Sequence, residues 1–183
     1  ISRERVNQIS VWKRGHVLVC LMSSHADDDA LFVSWALQHS ELRLLIVPRH
    51  PVRGPEIKTL ADNHGLVASM VSAKIEDKAK ILIGDTFGDM GAYLSQSDVI
   101  VIGGSFSGKG GQNPIEPALM RKPLVAGPSM HNFQAISAGL ETAGALLRTD
   151  SEHLCGAIDK ALLNADAMGQ AAHAWVEAHR GST

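Results

Sequence analysis

The chain has 183 residues, of which 45% are hydrophobic and 20% are charged, and its formal net charge at pH 7 is -2. This length and composition predict one globular domain with a substantial core. Lys and Arg are scattered among Asp and Glu, so the sequence shows no basic face for phosphate-backbone binding, and nucleic acid is not an expected partner.

The longest apolar runs are far shorter than the roughly 20 residues that a membrane-spanning helix needs, so we expect the chain itself to be soluble. Its two cysteines, Cys20 and Cys155, lie far apart and lack metal-ligand spacing, which favours a reduced cytoplasmic compartment. The chain opens at Ile1 without a secretion signal, and we interpret it as part of a larger protein.

Short runs rich in Val, Ile and Leu alternate with longer amphipathic stretches, as in βαβ units that build a parallel sheet. Strands are predicted at residues 17–22, 42–47, 66–71, 80–83, 98–102, 123–126 and 144–148. The expected fold class is therefore α/β, a Rossmann-like three-layer αβα sandwich with a mostly parallel sheet. Residues 1–15 are predicted to be a lead-in or linker segment.

Capping residues predict where the helices begin. Three such starts are expected, at Asp27–Asp29, at Thr86 with Asp89, and at Asn113-Pro114 with Glu116 as the third helical residue. Two further helices are expected to begin near Asp150 and Ala165.

Ligands of open parallel sheets bind beyond the carboxyl ends of the strands, where loops lead into helix N-termini that present unpaired N–H groups. Four polar or glycine-rich loops are predicted to meet at this edge. They contain Ser23-Ser24-His25, Pro48-Arg49-His50-Pro51, Gly84-Asp85-Thr86, and the segment from Gly103-Gly104-Ser105 to Asn113.

The last of these loops contains five glycines, which allow tight turns and a close approach to a phosphate. It lacks the GK[ST] ending of a Walker A loop and the GxGxxG order of dinucleotide folds. Its composition alone therefore leaves phosphate binding and ordinary turn formation equally open.

Polar residues in and after these loops each have a functional and a structural interpretation. Asn113 and Glu116 fit a variant capping box, yet a first-turn carboxylate can also accept hydrogen bonds from ribose hydroxyls. Arg49 lies between two prolines that restrict its backbone, and its guanidinium suits a phosphate or carboxylate. The alternative for Arg49 is a surface residue paired with a nearby acid.

His25 is a candidate contact to substrate or phosphate, and its alternative is an ordinary hydrogen-bonded loop residue. The carboxylates of Asp27–Asp29 could bind a divalent metal, but the helix dipole favours acids in any first turn. We expect no metal and no cofactor. The sequence has no GxSxG elbow, HExxH motif or plausible Cys–His pair, so the common hydrolase classes are not expected.

Several motifs follow one another in a specific order along the chain. They are Ser23-Ser24-His25, Val47–Pro51, Ile83–Asp89, Val101–Ser105, Gly110–Ala118, and Lys122–Pro128 with Asn132-Phe133. In this order they resemble the C-terminal domain of bacterial 3-deoxy-D-manno-octulosonic acid (Kdo) transferases, which are GT-B glycosyltransferases. The similarity covers about residues 17–165.

The resemblance implies that residues 16–183 form the nucleotide-sugar (donor) binding domain of an enzyme that transfers Kdo from CMP-Kdo to a lipid A precursor in lipopolysaccharide biosynthesis. It places the enzyme at the cytoplasmic side of the bacterial inner membrane, with the membrane surface reached only through the parent protein. The catalytic base and acceptor site would belong to an N-terminal domain that this chain lacks. We therefore expect no catalytic residue here and no activity from the chain alone.

Carried over residue by residue, the resemblance assigns phosphate to Arg49 and the Gly103-Gly104-Ser105 loop, the base to the Gly84-Asp85-Thr86 turn, and phosphate and ribose to Asn113 with Glu116. The complete expected donor-binding set is Ser24, His25, Arg49, His50, Gly84, Asp85, Thr86, Gly103, Gly104, Ser105, Asn113 and Glu116. Two alternatives stay open, a GT-B relative using another nucleotide sugar (a UDP-sugar transferase or 2-epimerase) and a non-catalytic nucleotide-binding domain.

Overall fold

Seven parallel strands alternate with helices in the computed structural model, which describes residues 1–180. The chain forms two compact units, Ile1–Ser97 and the part that begins at Asp98. Each unit is built from β-strands whose apolar side chains are buried among helices.

The first unit carries four of the strands in the order β3-β4-β2-β1. They are β1 (Val17–Ser24), β2 (Leu42–Pro48), β3 (Ala68–Met70) and β4 (Ile81–Ile83). In the parallel register Val17 is opposite Leu42, and Ile81 is opposite Leu44 on one side and Ala68 on the other. The central strands read as continuous apolar runs because both of their faces are buried.

The helices of this unit connect the strands in sequence. They are α1 (Arg3–Lys13), α2 (Ala26–Ala36), the 3-10 helix Pro51–Arg53, α3 (Gly54–Asn63) and α4 (Met90–Gln96). Helix α3 begins with a Gly-Pro pair, and Pro in the first turn is favoured because its missing N–H would be unpaired there anyway.

Helix α1 lies in the segment for which we predicted a lead-in or linker. Trp12 of this helix is almost fully buried, and its indole N–H donates a hydrogen bond to the Ala79 carbonyl at 2.9 Å. The Arg5 guanidinium pairs with the Asp89 carboxylate at 3.1 Å. The segment is therefore packed onto the first unit, and a linker role for residues 1–15 stays a prediction.

The second unit carries the other three strands in the order β5-β6-β7. They are β5 (Val99–Ile102), β6 (Leu124–Ala126) and β7 (Leu146–Arg148), and the helices are α5 (Ile115–Leu119), the 3-10 helix His131–Phe133, α6 (Gln134–Thr142), α7 (Leu154–Leu163) and α8 (Ala165–His179). Helix α8 packs against α5, and Gly169 of α8 lies directly against the backbone of Arg121.

The predicted fold class is confirmed, since the structure is a seven-stranded parallel sheet with helices on both faces. Every predicted strand is present with boundaries within two residues of the prediction. The assignment of residues 16–183 to one donor-binding domain stays a prediction, and residues 181–183 lie outside the described part.

Four predicted helix starts are wrong by one to four residues. Helix α2 begins at Ala26 with His25 as its N-cap, so Asp27–Asp29 lie inside its first turn instead of before it. Helix α4 begins at Met90 instead of Thr86, because the Thr86 hydroxyl bonds the Asp89 carboxylate within the preceding turn at 2.6 Å. Helix α7 begins at Leu154, after a turn in which Asp150 accepts a hydrogen bond from the His153 N–H at 2.9 Å. Helix α5 begins at Ile115, one residue later than expected.

Candidate functional site

The predicted site residues all follow the carboxyl ends of strands, in both units. In the first unit the loops after β1, β2 and β4 contact one another, and in the second unit the loops after β5 and β6 do so. The prediction that all of these loops meet at one edge stays a prediction.

Ser24, at the end of β1, is part of a buried polar cluster. Its hydroxyl donates a 2.5 Å hydrogen bond to the Asp29 carboxylate in the first turn of α2. Arg53, in the 3-10 helix after β2, donates to the other oxygen of the same carboxylate and to the Ser24 carbonyl, the latter at 3.3 Å. Ser24 and Asp29 are both buried, so the Ser24 hydroxyl serves to hold the protein structure through its bond to Asp29.

Arg49 and His50, directly after β2, have exposed side chains. Within residues 1–180 neither side chain has a hydrogen bond or an ion pair, whereas the Arg49 backbone N–H donates to the Ser24 carbonyl at 2.9 Å. The alternative of an Arg49 paired with a nearby acid is therefore wrong for the described residues. The backbone of Arg49 is fixed while its guanidinium remains available to an anion.

The turn after β4 is held by contacts inside the first unit. A Cβ on Gly84 would lie 2.9 Å from the ring of the buried Tyr93, so only glycine fits there. The Asp85 carboxylate accepts hydrogen bonds from the backbone N–H and the hydroxyl of Ser72, at 3.0 and 2.5 Å. The Thr86 hydroxyl bonds Asp89 and the Tyr93 hydroxyl. These residues shape the loop, and burial raises the pKa of Tyr93 to about 12.

In the second unit Ser105 joins the loop after β5 to the loop after β6. Its hydroxyl donates to the Ile102 carbonyl at 2.5 Å and accepts a hydrogen bond from the Gly127 N–H at 2.8 Å. Its own carbonyl accepts a hydrogen bond from the Ser129 N–H at 2.9 Å. Gly103, Gly104 and Ser105 are all buried, so the side chain of Ser105 serves to hold the two loops together.

The later glycines of the same loop are required by close packing. Gly110 and Gly111 have φ of 89° and 76°, and Cβ atoms there would lie 2.4 Å from the Asn132 side chain and 2.2 Å from the Met130 sulfur. The Gly110 carbonyl also accepts a hydrogen bond from the Asn132 N–H at 3.0 Å. Turn formation thus explains these two glycines without any ligand.

Asn113 and Glu116 flank the start of α5 and are exposed. The Asn113 side chain accepts a hydrogen bond from the N–H of Ile115, two residues on, at 3.0 Å, as in an Asx turn, whereas Pro114 is the N-cap of α5. Glu116 is the second helical residue instead of the third, and within the described residues its carboxylate has no hydrogen bond or ion pair. The predicted capping box is therefore wrong for Glu116, whose carboxylate is open to solvent.

His25 precedes helix α2, and its backbone N–H donates to the Asp28 carboxylate at 2.9 Å. Asp28 and Asp29 are buried and accept hydrogen bonds from protein groups, whereas Asp27 is exposed. Among residues 1–180 no group of three or more His, Cys, Asp or Glu side chains is arranged to hold a metal ion. No helix in the same residues combines the length and apolar character needed to cross a bilayer.

No sequence motif singled out Arg53, which ties the loop after β2 to β1 and α2. Its position two residues after Pro51 offered a signal, because a 3-10 turn following Arg49-His50 would bring it back towards the end of β1. Ser129 was likewise not predicted, and its hydroxyl accepts a hydrogen bond from the Gly110 N–H at 3.0 Å.

The stability of the first unit should depend on the ionisation of Asp29. Burial raises the pKa of this carboxyl from 3.8 to about 6, against the hydrogen bonds from Ser24 and Arg53 that lower it. A raised pKa in the folded state contributes stability that is complete below about pH 4 and is lost as the pH rises through about 6. The free energy of unfolding of the wild type, relative to Asp29→Asn, should therefore fall by roughly 2 to 3 kcal/mol across this range.

Urea unfolding of both proteins from pH 4 to pH 7 measures this difference. Asp27→Asn is the matched control, since Asp27 lies in the same helical turn but is exposed. Parallel stability profiles for the wild type and Asp29→Asn would contradict the assignment.

Comparison with known proteins relates the chain to one group of enzymes. It is 33% identical to the 3-deoxy-D-manno-octulosonic acid transferase of Bordetella pertussis over 195 aligned positions, which include 98% of this chain and 45% of that protein. It is 28% identical to the transferase of the same name from Rickettsia typhi, over 91% of this chain and 37% of that protein. The chain thus spans less than half the length of these curated relatives. No family model matches the chain.

Solved structures show the same fold. The C-terminal CMP-Kdo binding domain of WaaA from Acinetobacter baumannii superposes with a TM-score of 0.84 at 23% identity, over 95% of this chain and 97% of that one. WaaG, a glycosyltransferase involved in lipopolysaccharide biosynthesis, gives a TM-score of 0.62 at 13% identity, over 96% of this chain and 46% of that one. The resemblance found in the sequence is confirmed: this chain is related to the 3-deoxy-D-manno-octulosonic acid transferases and has the fold of a GT-B C-terminal domain.

Proposed function

We propose that this chain is the donor-binding domain of a Kdo transferase, which moves Kdo from CMP-Kdo to a lipid A precursor in lipopolysaccharide biosynthesis. The observation that carries the proposal is the 33% identity to a curated Kdo transferase along 98% of the chain. The acceptor site and the catalytic base then belong to a part of the transferase outside this chain. Contact with the cytoplasmic side of the inner membrane also belongs to the complete enzyme.

Two exposed side chains are the main proposed contacts to the donor. Arg49 presents a guanidinium without a protein partner in residues 1–180, and a planar fork of N–H donors suits the CMP phosphate. Glu116 presents a carboxylate in the first turn of α5, where ribose hydroxyls can donate hydrogen bonds to it.

The remaining members of the predicted set fall into two groups. We propose that His25, His50 and Asn113, whose side chains are half-buried or exposed, lie beside the donor. The others keep the loops in shape through the contacts described above and offer mainly backbone groups to the ligand; they are Ser24, Gly84, Asp85, Thr86, Gly103, Gly104 and Ser105.

The proposed reaction is an inverting transfer in which an acceptor hydroxyl oxygen bonds to the Kdo anomeric carbon and gives its proton to a base outside this chain, as the bond between that carbon and the phosphate oxygen breaks. The electron pair of that bond goes to the phosphate, so negative charge grows on the departing CMP. A positioned guanidinium stabilises this developing charge more strongly than it stabilises the bound substrate. Arg49 is therefore the residue of this chain that we propose to promote departure of CMP.

Calorimetric titration of the chain with CMP and with UMP tests the donor assignment. We expect CMP to bind with a dissociation constant of about 0.1 to 1 mM, because only part of the donor site is present, and UMP to bind about tenfold more weakly, because its base offers a different hydrogen-bond pattern. No heat of binding with millimolar CMP would overturn the proposal. Equal or tighter binding of UMP would favour a GT-B relative that uses a UDP-sugar.

A further inference from the structure

Arg53 belongs to a closed ring of polar contacts that the proposed donor contacts do not use. The ring consists of Ser24, Asp29 and Arg53, in which Ser24 donates to Asp29, and Arg53 donates to both Asp29 and the Ser24 carbonyl. Ser24 is 0% and Asp29 is 1% exposed, and the Arg53 side chain is 19% exposed. A buried ion pair of this kind often costs as much desolvation as it gains in attraction, so a gain in stability alone does not account for it.

The ring contacts the backbone of Arg49 through a shared acceptor. The Ser24 carbonyl accepts hydrogen bonds from the Arg49 N–H at 2.9 Å and from the Arg53 guanidinium at 3.3 Å. The Arg53 N–H in turn donates to the His50 carbonyl at 3.0 Å. The short segment from Arg49 to Arg53 is thus tied both to the end of β1 and to itself.

The backbone at the end of β1 departs from regular strand geometry at the same place. The register between β1 and β2 shifts between Met22 and Ser24, and Ser23 adopts a φ of 55°, which is unfavourable for a residue other than glycine. Strained backbone persists only where surrounding contacts hold it. The Arg53 guanidinium and the Asp29 carboxylate supply such contacts to Ser24.

Arg53 itself is not free to bind a phosphate. Its guanidinium is shared between Asp29 and Glu56, the latter accepting a hydrogen bond from the Arg53 Nε at 2.7 Å. Arg49, four residues earlier, has no such partners among the described residues. The two arginines therefore have different tasks.

We propose that Arg53 is a positioning residue, which fixes the Ser24 carbonyl and thereby orients Arg49 towards the phosphate of a cytidine nucleotide. The inference rests on the proposed function, in which Arg49 contacts that phosphate. The fork of the guanidinium is essential, because it reaches a carboxylate and a carbonyl at once, whereas a lysine ammonium lacks this fixed geometry.

A double-mutant cycle on the dissociation constant for CMP tests the inference, with Arg49→Ala, Arg53→Ala and the double variant. We expect Arg49→Ala to weaken CMP binding about 20-fold and Arg53→Ala about fivefold to tenfold. In the Arg49→Ala background, Arg53→Ala should change the affinity by less than about twofold, because Arg53 acts through Arg49. Cytidine, which has no phosphate, should bind all variants within about twofold of the wild type.

Two further variants separate positioning from loss of folding. Arg53→Met combined with Asp29→Asn removes both charges, so that no unpaired charge is left buried. Arg53→Lys keeps a charge beside Asp29 but loses the fork. Both should weaken CMP binding about fivefold while their thermal unfolding shows a folded protein, and Arg3→Ala, at an exposed arginine of the same unit, should leave CMP binding unchanged.

Failure of the positioning role and failure of the proposed function give different binding results. If wild-type chain does not bind CMP, the proposed function fails. If CMP binds but Arg53→Ala weakens it equally with or without Arg49, or weakens cytidine binding to the same extent, the positioning role is overturned. The positioning role is also overturned if CMP binding is unchanged in the folded Arg53→Met/Asp29→Asn variant and in the folded Arg53→Lys variant.

Discussion

Arg49→Ala should lower kcat/KM for CMP-Kdo by about 100-fold in the complete transferase. Removing a positioned donor that meets developing charge typically costs 10²- to 10³-fold, and a guanidinium offers two charge-assisted hydrogen bonds to a phosphate. The backbone of Arg49 is held by the Ser24 carbonyl, and its side chain has no partner within residues 1–180, so the substitution should leave folding intact. Initial rates of Kdo transfer over a range of CMP-Kdo concentrations measure the effect.

The loss should appear in kcat as well as in KM, because in the proposed reaction the phosphate gains charge as its bond to Kdo breaks. Arg3→Ala again serves as the matched control, since it removes the same charge from an exposed position. Transfer that is unchanged by Arg49→Ala and also by Glu116→Gln would support the alternative of a non-catalytic nucleotide-binding domain.

Gly169→Ala should destabilise the protein by about 1 to 2 kcal/mol, although alanine is the better helix former. Gly169 lies inside α8, where helix propensity alone favours alanine by about 1 kcal/mol. A Cβ at this position would lie 2.0 Å from the carbonyl oxygen of Arg121, and the obstacle is backbone that cannot rotate away. Overpacking of this kind costs about 1 to 3 kcal/mol and sometimes more, which outweighs the gain in propensity.

Gly156→Ala is the matched control for this prediction. Gly156 lies inside α7, and no atom lies within 4 Å of the Cβ that alanine would add. The same substitution should therefore raise the free energy of unfolding by about 0.5 to 1 kcal/mol. Thermal and urea unfolding of the two variants should move in opposite directions, and a shift in the same direction would show that local propensity, not packing, decides at Gly169.

The proposed site shows which of its residues the order of sequence motifs can identify, and which of their tasks it cannot. Arg49 and Glu116 were singled out from the sequence, and both carry exposed side chains that have no partner in the described residues. Ser24 and Ser105 were singled out in the same way, yet their hydroxyls are used by Asp29 and by the Gly127 N–H. A sequence motif marks a position as important but does not distinguish a ligand contact from the residue that holds the loop.

Helix starts show the same limit at a smaller scale. The pairs Thr86 with Asp89 and Asn113 with Glu116 have the spacing of capping boxes. The first pair bonds within a turn before α4, and the Asn113 side chain forms a turn bond beside Pro114, the N-cap of α5. Hydroxyl and carboxylate groups hydrogen-bond locally in turns as readily as at helix ends, so spacing alone does not fix where a helix begins.

The sequence by itself determined the architecture and the family resemblance of this protein. Apolar runs such as 17–22 and 98–102 must be covered on both faces, and alternation with amphipathic stretches leaves a parallel α/β sheet as the way to bury them. Only the tertiary structure decided the roles of Arg53 and Gly169. Both depend on residues that are distant in the chain, Asp29 for the first and Arg121 for the second, and folding alone brings such groups into contact.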